Sequence, residues 1–215
     1  MAMTDWSACE KRLAAGVDTL GLAVSAKAQA QLIAYLKELV AWNATYNLTA
    51  VRDPLAMVTR HLLDSLAVLD FVTGKSVADV GSGPGLPGFV LAIARAGLKV
   101  TLVETNGKKA AFLRHVRRRL GLANVEIVQA RVEDWQPEAR FDCVICRAFA
   151  AADECARLCG HLIAPGGRFL LMKGRDPAAE LADLPLDFRH VDTVALAVPG
   201  LEAQRHLAIL EPGLI

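Results

Sequence analysis

The sequence lacks any uninterrupted apolar run of the roughly 18 residues that a membrane-spanning helix needs. Charged residues interrupt its most apolar stretches at Asp64, Asp70, Arg95 and Lys99. Residues 1–11 carry acidic side chains and lack the apolar segment of a signal peptide. We therefore expect a soluble cytoplasmic protein that acts without a membrane. A chain of 215 residues is also long enough to bury a substantial core.

A strong charge imbalance and a disulfide framework are missing as well. The net charge is +1 with 22% charged residues, so any attraction to nucleic acid must come from local clusters. Five cysteines are an odd number, which argues against disulfides in a cytoplasmic chain. Cys143 and Cys146 lie three apart on a predicted strand and point to opposite faces, and Cys155 and Cys159 share a helical face without a nearby histidine pair. We expect buried thiols and no bound metal.

Strand and helix patterns alternate through most of the chain. Apolar residues at helical spacing predict helices over residues 26–42, 54–60, 61–71, 86–96, 108–120 and 151–163. Short apolar runs predict strands over residues 76–80, 99–103, 125–128, 141–146, 168–172, 192–198 and 206–210, the last two joined at Pro199-Gly200. The alternation predicts the α/β class, with a doubly wound, mostly parallel, seven-stranded sheet. Residues 1–72 form a helical extension on the core, and residues 73–215 form the sheet domain.

A glycine-rich turn, DVGSGPGLPG over residues 79–88, follows the first predicted strand. Its alternating glycines, Gly81, Gly83 and Gly85, allow a sharp turn and the close approach of a ligand. Pro87 suits the first helical position, and the free N–H groups of that helix start would face a ligand over the end of the strand. The alternative is a tight turn that binds nothing.

Acidic residues follow the next two strands at the same predicted edge of the sheet. Glu104 ends the second strand, where a carboxylate can accept hydrogen bonds from ribose hydroxyls. Glu133 follows the third strand and could receive an adenine amino group. Both positions indicate an adenosine-bearing cofactor. The GxGxG spacing departs from the GxGxxG of dinucleotide sites, and Asp79 suits an ammonium group, so the pattern favours S-adenosylmethionine over NAD.

Basic residues crowd the helix predicted over residues 108–120 without an acid among them. They are Lys108, Lys109, Arg114, Arg117, Arg118 and Arg119. Arg131 and Arg147 add charge near the predicted pocket. A solvated helix face is one explanation, and attraction to the phosphates of RNA or DNA is the other.

Polar residues of the preceding helix also have two explanations. They are His61, Asp64 and Ser65, which lie within about one helical turn of each other. They could form a solvated helix cap or belong to a functional site.

Two sequence motifs of base methylation are absent. No Asn/Asp-Pro-Pro-aromatic sequence, the usual device for exocyclic amines, follows the fourth strand, and the chain has no Pro-Cys nucleophile for carbon methylation of a pyrimidine. A ring nitrogen such as guanine N7 has an in-plane lone pair and no proton to lose, so its methylation needs no general base. The sequence is consistent with that reaction.

Several motifs occur in an order that resembles a known family. They are WN…NLTA at residues 42–50, HLLDSL at 61–66, the turn at 79–88, KK…FL at 108–113, RVE at 131–133, CRA at 146–148 and KG at 173–174. The sequence resembles the ribosomal RNA small subunit methyltransferase G family, also called glucose-inhibited division protein B, from about residue 42 to 210. Cys146 stands where that family is expected to have serine.

The resemblance implies a bacterial, Rossmann-like enzyme that methylates N7 of one guanine in small-subunit (16S) rRNA, with S-adenosyl-L-methionine as cofactor. Naked rRNA or a ribosomal particle would be its partner, and we expect a monomer. Cofactor contacts are expected from Asp79, Gly81, Gly83, Gly85, Leu86, Glu104, Thr105, Val132, Glu133 and Arg147. Candidates for the catalytic centre, where they would order the guanine or the RNA, are His61, Asp64, Arg131, Arg147 and Lys173. Candidates for RNA binding are Lys108, Lys109, Arg114, Arg117 and Arg118.

Three other functions stay open at this point. A methyltransferase of the same fold could act on a small molecule or a protein. A non-catalytic RNA-binding or cofactor-sensing protein would fit the absence of an identified base. An NAD oxidoreductase would use the same kind of glycine turn.

Overall fold

A computed structural model describes residues 4–213 of the chain. Its strands are β1 (Ser76–Val80), β2 (Lys99–Val103), β3 (Val125–Val128), β4 (Phe141–Arg147), β5 (Ile163–Lys173), β6 (Phe188–Ala195) and β7 (His206–Pro212). Its α-helices are α1 (Trp6–Leu20), α2 (Ala26–Tyr46), α3 (Pro54–Met57), α4 (Asp64–Leu66), α5 (Gly88–Ala94), α6 (Gly107–Leu120), α7 (Ala152–Cys159) and α8 (Ala178–Leu181). None of the helices described is long and apolar enough to cross a bilayer.

The seven strands form one mixed sheet in the order β3-β2-β1-β4-β5-β7-β6. The first five strands are parallel, and β7 pairs antiparallel with both β5 and β6. The predicted doubly wound, mostly parallel sheet with an antiparallel hairpin is therefore confirmed. The strand order reverses between β1 and β4, and open α/β sheets bind their ligands at such a switch point, beyond the carboxyl ends of the strands.

The two N-terminal helices are capped locally and pack on the sheet domain. Asp5 and Ser25 accept hydrogen bonds from the first turns of α1 and α2, and Gly21 ends α1 with a left-handed φ of 67°. Leu13 of α1 and Leu36 of α2 lie in the same buried apolar cluster as residues of α5, α6 and the sheet. Because these apolar side chains share one cluster, the extension and the sheet stabilise each other by burial.

The segment predicted as two helices, 54–60 and 61–71, is irregular. A π-helical stretch, Val58–Leu63, joins α3 to α4, and a 3-10 turn, Leu69–Phe71, follows. The predicted break between Arg60 and His61 is wrong because the π turns carry the chain through both residues without interruption. Such turns add a residue to the helical repeat and often occur at functional sites.

The C-terminal hairpin and α1 also differ from prediction. Strand β6 begins at Phe188 and not at residue 192 as predicted. Most of its side chains are exposed, so its sequence lacks the alternation of apolar and polar residues that would mark the start of a strand. Val198, predicted to end that strand, is instead buried in the core from the connecting loop. Helix α1 was not predicted, although its buried residues Cys9, Leu13 and Gly16 recur at helical spacing.

Candidate functional site

A cavity of about 480 Å³ lies beyond the carboxyl ends of β1 and β4, at the switch point of the sheet. Its wall is formed by Leu48, Thr49, Asp64, Gly81, Ser82, Gly83, Pro84, Leu86, Lys109, Arg147, Ala148, Met172, Lys173, Gly174 and Arg205. The cavity thus combines the glycine turn after β1, the end of β4 and four basic side chains. This is the place where the topology of the sheet predicts a ligand.

The glycine turn adopts the backbone conformation that the sequence predicts. Gly81, Gly83 and Gly85 have φ angles of 69°, 57° and 92°, in the left-handed region that side chains with a Cβ disfavour. The Oγ of Ser82 is buried in this turn without a hydrogen-bond partner, and the residue lines the cavity. A buried hydroxyl without a partner at a cavity wall is a polar group available to a ligand.

The N–H groups after the turn are not free, contrary to the prediction. The N–H of Gly88 donates to Oδ2 of Asp79 at 2.7 Å, and that of Leu86 donates to the Ser82 carbonyl at 3.0 Å. Helix α5 begins at Gly88, so Pro87 is its N-cap and not its first residue. These amides hold the turn together and do not point at a ligand.

Asp79 lies beneath the turn and not on the cavity wall. Its side chain is fully buried, with Oδ2 occupied by Gly88 and Oδ1 without a hydrogen-bond partner. Burial raises the pKa of Asp79 to about 7, although the Gly88 hydrogen bond and the charge of Arg147 oppose that rise. In this conformation Asp79 supports the start of α5, and its predicted contact with an ammonium group of the cofactor stays a prediction.

Glu104, at the end of β2, connects the turn to helix α6. Its Oε2 accepts from the N–H of Gly83 at 2.8 Å, and its Oε1 accepts from the N–H of Asn106 at 2.8 Å. Glu104 is only 6% exposed. Each carboxylate oxygen has a second acceptor site, so ribose hydroxyls could share it with these amides.

One carboxylate on the cavity wall holds two arginines. Asp64 is 2% exposed; its Oδ1 accepts from Nε of Arg205 at 2.8 Å, and its Oδ2 accepts from Nη1 of Arg147 at 3.4 Å. The chain is thereby tied together across three distant segments, α4, the end of β4 and the loop before β7. Arg205 was not identified from the sequence because no motif surrounds it.

His61 lies behind the cavity wall and reaches it through Thr49. Its Nε2 is 2.9 Å from the Thr49 hydroxyl, and only 6% of the residue is exposed. Burial, with the positive charge of Arg147 as the second cause, lowers the pKa of His61 to about 4. The imidazole is therefore neutral at pH 7. The alternative of a solvated cap for His61, Asp64 and Ser65 is wrong, because all three are buried.

Lys173, at the end of β5, is held beside the cavity by the chain that follows β4. Its Nζ donates to the carbonyl of Ala150 at 3.0 Å and to Oε2 of Glu180 at 2.6 Å. Glu180 also accepts from the N–H of Ala152 at 3.1 Å, the first residue of α7. Lys173 therefore lines the cavity in a fixed position.

The predicted residues after β3 lie apart from this cavity. Arg131 and Glu133 are exposed and pair with each other at 2.7 Å, and Val132 is buried in the turn between them. Thr105 is exposed beside Glu104. None of these four lines the cavity. If these residues contact a ligand, that ligand must extend from the cavity onto the protein surface beside it.

The basic residues of α6 extend along the helix from the cavity toward the opposite end of the sheet. Lys109 lines the cavity, whereas Arg117 lines a groove of about 1280 Å³ at the opposite end, beside the first residues of β1, β2 and β3. Eight residues of helix separate them by about 12 Å. Arg119 pairs with Glu38 at 3.5 Å, and Arg114 donates to Gln129. Lys108, Arg114, Arg117 and Arg118 are exposed.

The cysteines are free and buried, and within residues 4–213 no group of three or more His, Cys, Asp or Glu side chains is arranged to hold a metal ion. Cys143 and Cys146 lie in different apolar clusters on opposite faces of the sheet, as their spacing predicts.

Comparison with known proteins places these features in a family. The family model of GidB, described as rRNA small subunit methyltransferase G, matches residues 28–208. Ribosomal RNA small subunit methyltransferase G of Pseudomonas aeruginosa (strain UCBPP-PA14) is 51% identical over 199 residues, covering 92% of this chain and 93% of that protein. The protein of the same name from Nitrosospira multiformis is 48% identical over 207 residues, covering 93% and 96%.

A solved structure supports the fold independently. The glycopeptide N-methyltransferase MtfA, in complex with S-adenosyl-L-methionine, superposes with a TM-score of 0.57 at 15% identity, over 71% of this chain and 88% of that one. At that identity the likeness establishes a shared fold. The family match and the relatives establish the rest: this chain belongs to the GidB family, the rRNA small subunit methyltransferases G.

Proposed function

We propose that this protein transfers a methyl group from S-adenosyl-L-methionine to N7 of a specific guanine in 16S rRNA. Membership of the family supports an rRNA substrate of the small subunit. One observation supports the ring nitrogen as acceptor: among residues 4–213, the only carboxylate that lines the cavity, Asp64, is already bound to two arginines.

The residues at the switch point fit the proposed cofactor. Gly81 and Gly83 add no side chain of their own to the cavity wall, and the unpartnered Oγ of Ser82 offers a polar contact. Glu104 lies behind this wall with acceptor capacity that the ribose hydroxyls of a nucleoside can share. When bound, the cofactor supplies an electrophilic methyl group on a sulfonium centre.

The wall of the cavity provides no group suited to removing a proton. Both oxygens of Asp64 already accept hydrogen bonds, from Arg147 and Arg205, and His61 is separated from the cavity by Thr49. An exocyclic amine or a hydroxyl would have to lose a proton during methylation, whereas guanine N7 uses its lone pair and loses none. The cavity therefore suits a ring nitrogen, for which orientation of the acceptor is the main requirement.

Basic side chains around the cavity suit a polyanionic substrate. Lys109, Arg147, Lys173 and Arg205 line the wall, and the single acid among the lining residues is neutralised. Phosphate groups of RNA would be attracted to these basic side chains, and RNA binding would weaken as the salt concentration increases. The net charge at the reacting atoms does not change, because the positive charge on sulfur before transfer is on the purine afterwards.

The test is methylation with a labelled methyl group on small ribosomal subunits and on naked rRNA. Borohydride reduction followed by aniline cleaves RNA at N7-methylguanine, so a single new cleavage site that coincides with the label is expected. Label that resists aniline cleavage would contradict guanine N7 as the acceptor, and absence of label from both RNAs would contradict RNA as the substrate.

The variant Arg147→Ala tests the cavity as the reaction site. We expect at least a tenfold loss of turnover with the fold intact, because Arg147 lines the cavity and is held by Asp64. Arg140→Ala is the matched control, since Arg140 is exposed at the opposite end of the sheet. Equal turnover in the two variants would remove Arg147 from the site.

A further inference from the structure

An exposed aromatic ring borders the cavity. Phe149 is 36% exposed, and Tyr46 is the other exposed aromatic side chain among residues 4–213. The Phe149 ring packs on the bare Cα of Gly81, where a Cβ would lie 2.6 Å from its Cδ2. Two neighbours of Phe149 line the cavity: Gly81, which its ring contacts, and Ala148, which precedes it in the chain. Phe149 therefore places an apolar ring at the edge of the site, and the residue is partly exposed to solvent.

The chain around Phe149 is held on both sides. Ala148 has a φ of 52°, a left-handed conformation that is unusual for a residue with a Cβ and that often marks functional segments. The Ala150 carbonyl accepts from Nζ of Lys173 at 3.0 Å and from Sγ of Cys155 at 3.5 Å. A ring presented from a segment fixed in this way is a preorganised binding surface rather than part of the core.

The proposed substrate suits such a ring. Enzymes that modify a base commonly take it out of its stack to place it in a pocket, and proteins commonly replace the lost stacking with an aromatic side chain. The residues lining the cavity include no Phe, Tyr, Trp or His. Arginine planes can also stack on bases, but Arg147 and Arg205 are both bound to Asp64.

We propose that Phe149 stacks on the target purine base and so aligns its N7 within the cavity. This inference rests on the proposed function, because it takes an RNA base as the acceptor. The apolar ring carries no charge and no hydrogen-bonding group, so it contributes contact area and orientation. Three basic side chains of the cavity wall would bind the phosphates next to that base: Lys109, Lys173 and Arg205.

The experiment compares Phe149→Leu, Phe149→Tyr and the control Tyr46→Leu. At position 149, leucine keeps the apolar bulk without a flat ring, and tyrosine keeps the ring. Tyr46 is a suitable control because its ring is exposed and does not line the cavity. That ring packs against Trp42, with the ring centroids 5.2 Å apart. For each protein we would measure kcat and KM with small subunits or rRNA, the affinity for S-adenosylhomocysteine, and the melting temperature.

For Phe149→Leu we expect kcat/KM for RNA to fall at least fivefold with unchanged S-adenosylhomocysteine affinity and melting temperature, because one base-stacking contact is worth about a factor of 5 to 150. Phe149→Tyr and Tyr46→Leu should stay within about threefold of the unsubstituted protein. Unchanged kinetics in Phe149→Leu would overturn the proposal. An equal loss of S-adenosylhomocysteine affinity would also overturn it, since the ring would then contact the cofactor. Failure of the proposed function would be seen separately, as no guanine-N7 label from the unsubstituted protein.

Discussion

The hydroxyl of Tyr35 donates a hydrogen bond of 2.8 Å to the carbonyl of Pro84. Tyr35 belongs to α2 in the N-terminal extension, and Pro84 is the central residue of the glycine turn. The tyrosine is fully buried, with its ring against Phe89 of α5 and Phe112 of α6. The N-terminal helices therefore do more than cover the sheet, because one of them fixes the backbone of the turn that lines the cavity.

Tyr35→Phe removes this hydrogen bond and leaves the ring in place. We expect the free energy of unfolding to fall by about 1–3 kcal/mol, since a buried carbonyl loses its partner. We also expect S-adenosylhomocysteine affinity, measured by calorimetry well below the melting temperature, to fall about twofold to tenfold because the turn is less fixed. The control is Tyr46→Phe, which removes the hydroxyl of an exposed tyrosine. Unchanged affinity in Tyr35→Phe would limit Tyr35 to a structural role.

Glu104→Gln tests the carboxylate that connects the turn to α6. Glutamine has one acceptor oxygen, so its amide group would face the N–H of Gly83 or of Asn106 with a donor. We expect S-adenosylhomocysteine affinity to fall at least tenfold, which is about 1.4 kcal/mol, together with a lower melting temperature. Glu126→Gln on the neighbouring strand is the control, because Glu126 is exposed. Equal affinities in the two variants would contradict a role for Glu104 in the cofactor site.

Asp64→Asn tests the carboxylate shared by Arg147 and Arg205. Removing a buried charge that two guanidinium groups share should lower the free energy of unfolding by about 1–3 kcal/mol and loosen both arginines at the cavity. Asp153→Asn is the matched control, because Asp153 pairs with Arg157 one helical turn away on the surface. That change should cost at most about 0.5 kcal/mol. Urea unfolding and rRNA methylation measure the two effects, and a loss no larger than the control would contradict the structural role of Asp64.

The strands and the glycine turn could be read from the sequence because their signals are local. The bounds predicted for β1, β2 and β3 agree with the structure, since each is a short apolar run between polar or glycine residues. Helix α1 carried the same kind of signal, with Cys9, Leu13 and Gly16 at helical spacing, but small residues make its apolar face weak. Local patterns therefore located most of the elements.

The site itself depends on contacts that no local pattern encodes. Arg205 reaches Asp64 from 141 positions away in the chain, out of a loop without periodicity. The sequence pattern around Asp79 likewise does not show that its Oδ2 accepts a hydrogen bond from the N–H of Gly88. The basic run on α6 illustrates the same limit, because helical geometry sends Lys109 and Arg117 to opposite ends of the sheet.

Asp79→Asn tests the buried carboxyl beneath the turn through the pH dependence of stability. The pKa of Asp79 is raised from 3.8 to about 7 in the folded protein, so the folded state holds a proton more tightly than the unfolded chain does. Stability contributed by the neutral carboxyl is fully present below about pH 4 and is lost as the pH rises through 7. Asparagine cannot ionise, and its amide oxygen can still accept from Gly88. The free energy of unfolding of the variant, minus that of the unsubstituted protein, should therefore rise from pH 4 to 7 by about 2–4 kcal/mol and stay level above.

Urea unfolding of both proteins at several pH values between 4 and 8.5 measures this difference. The neutral, buried His61 acts in the opposite direction, since its lowered pKa removes stability as the pH falls below 6.5. That effect is common to both proteins and cancels in the difference. A difference that is flat across this range would mean that Asp79 is ionised in the folded protein at pH 5, with its charge stabilised by Gly88 and Arg147.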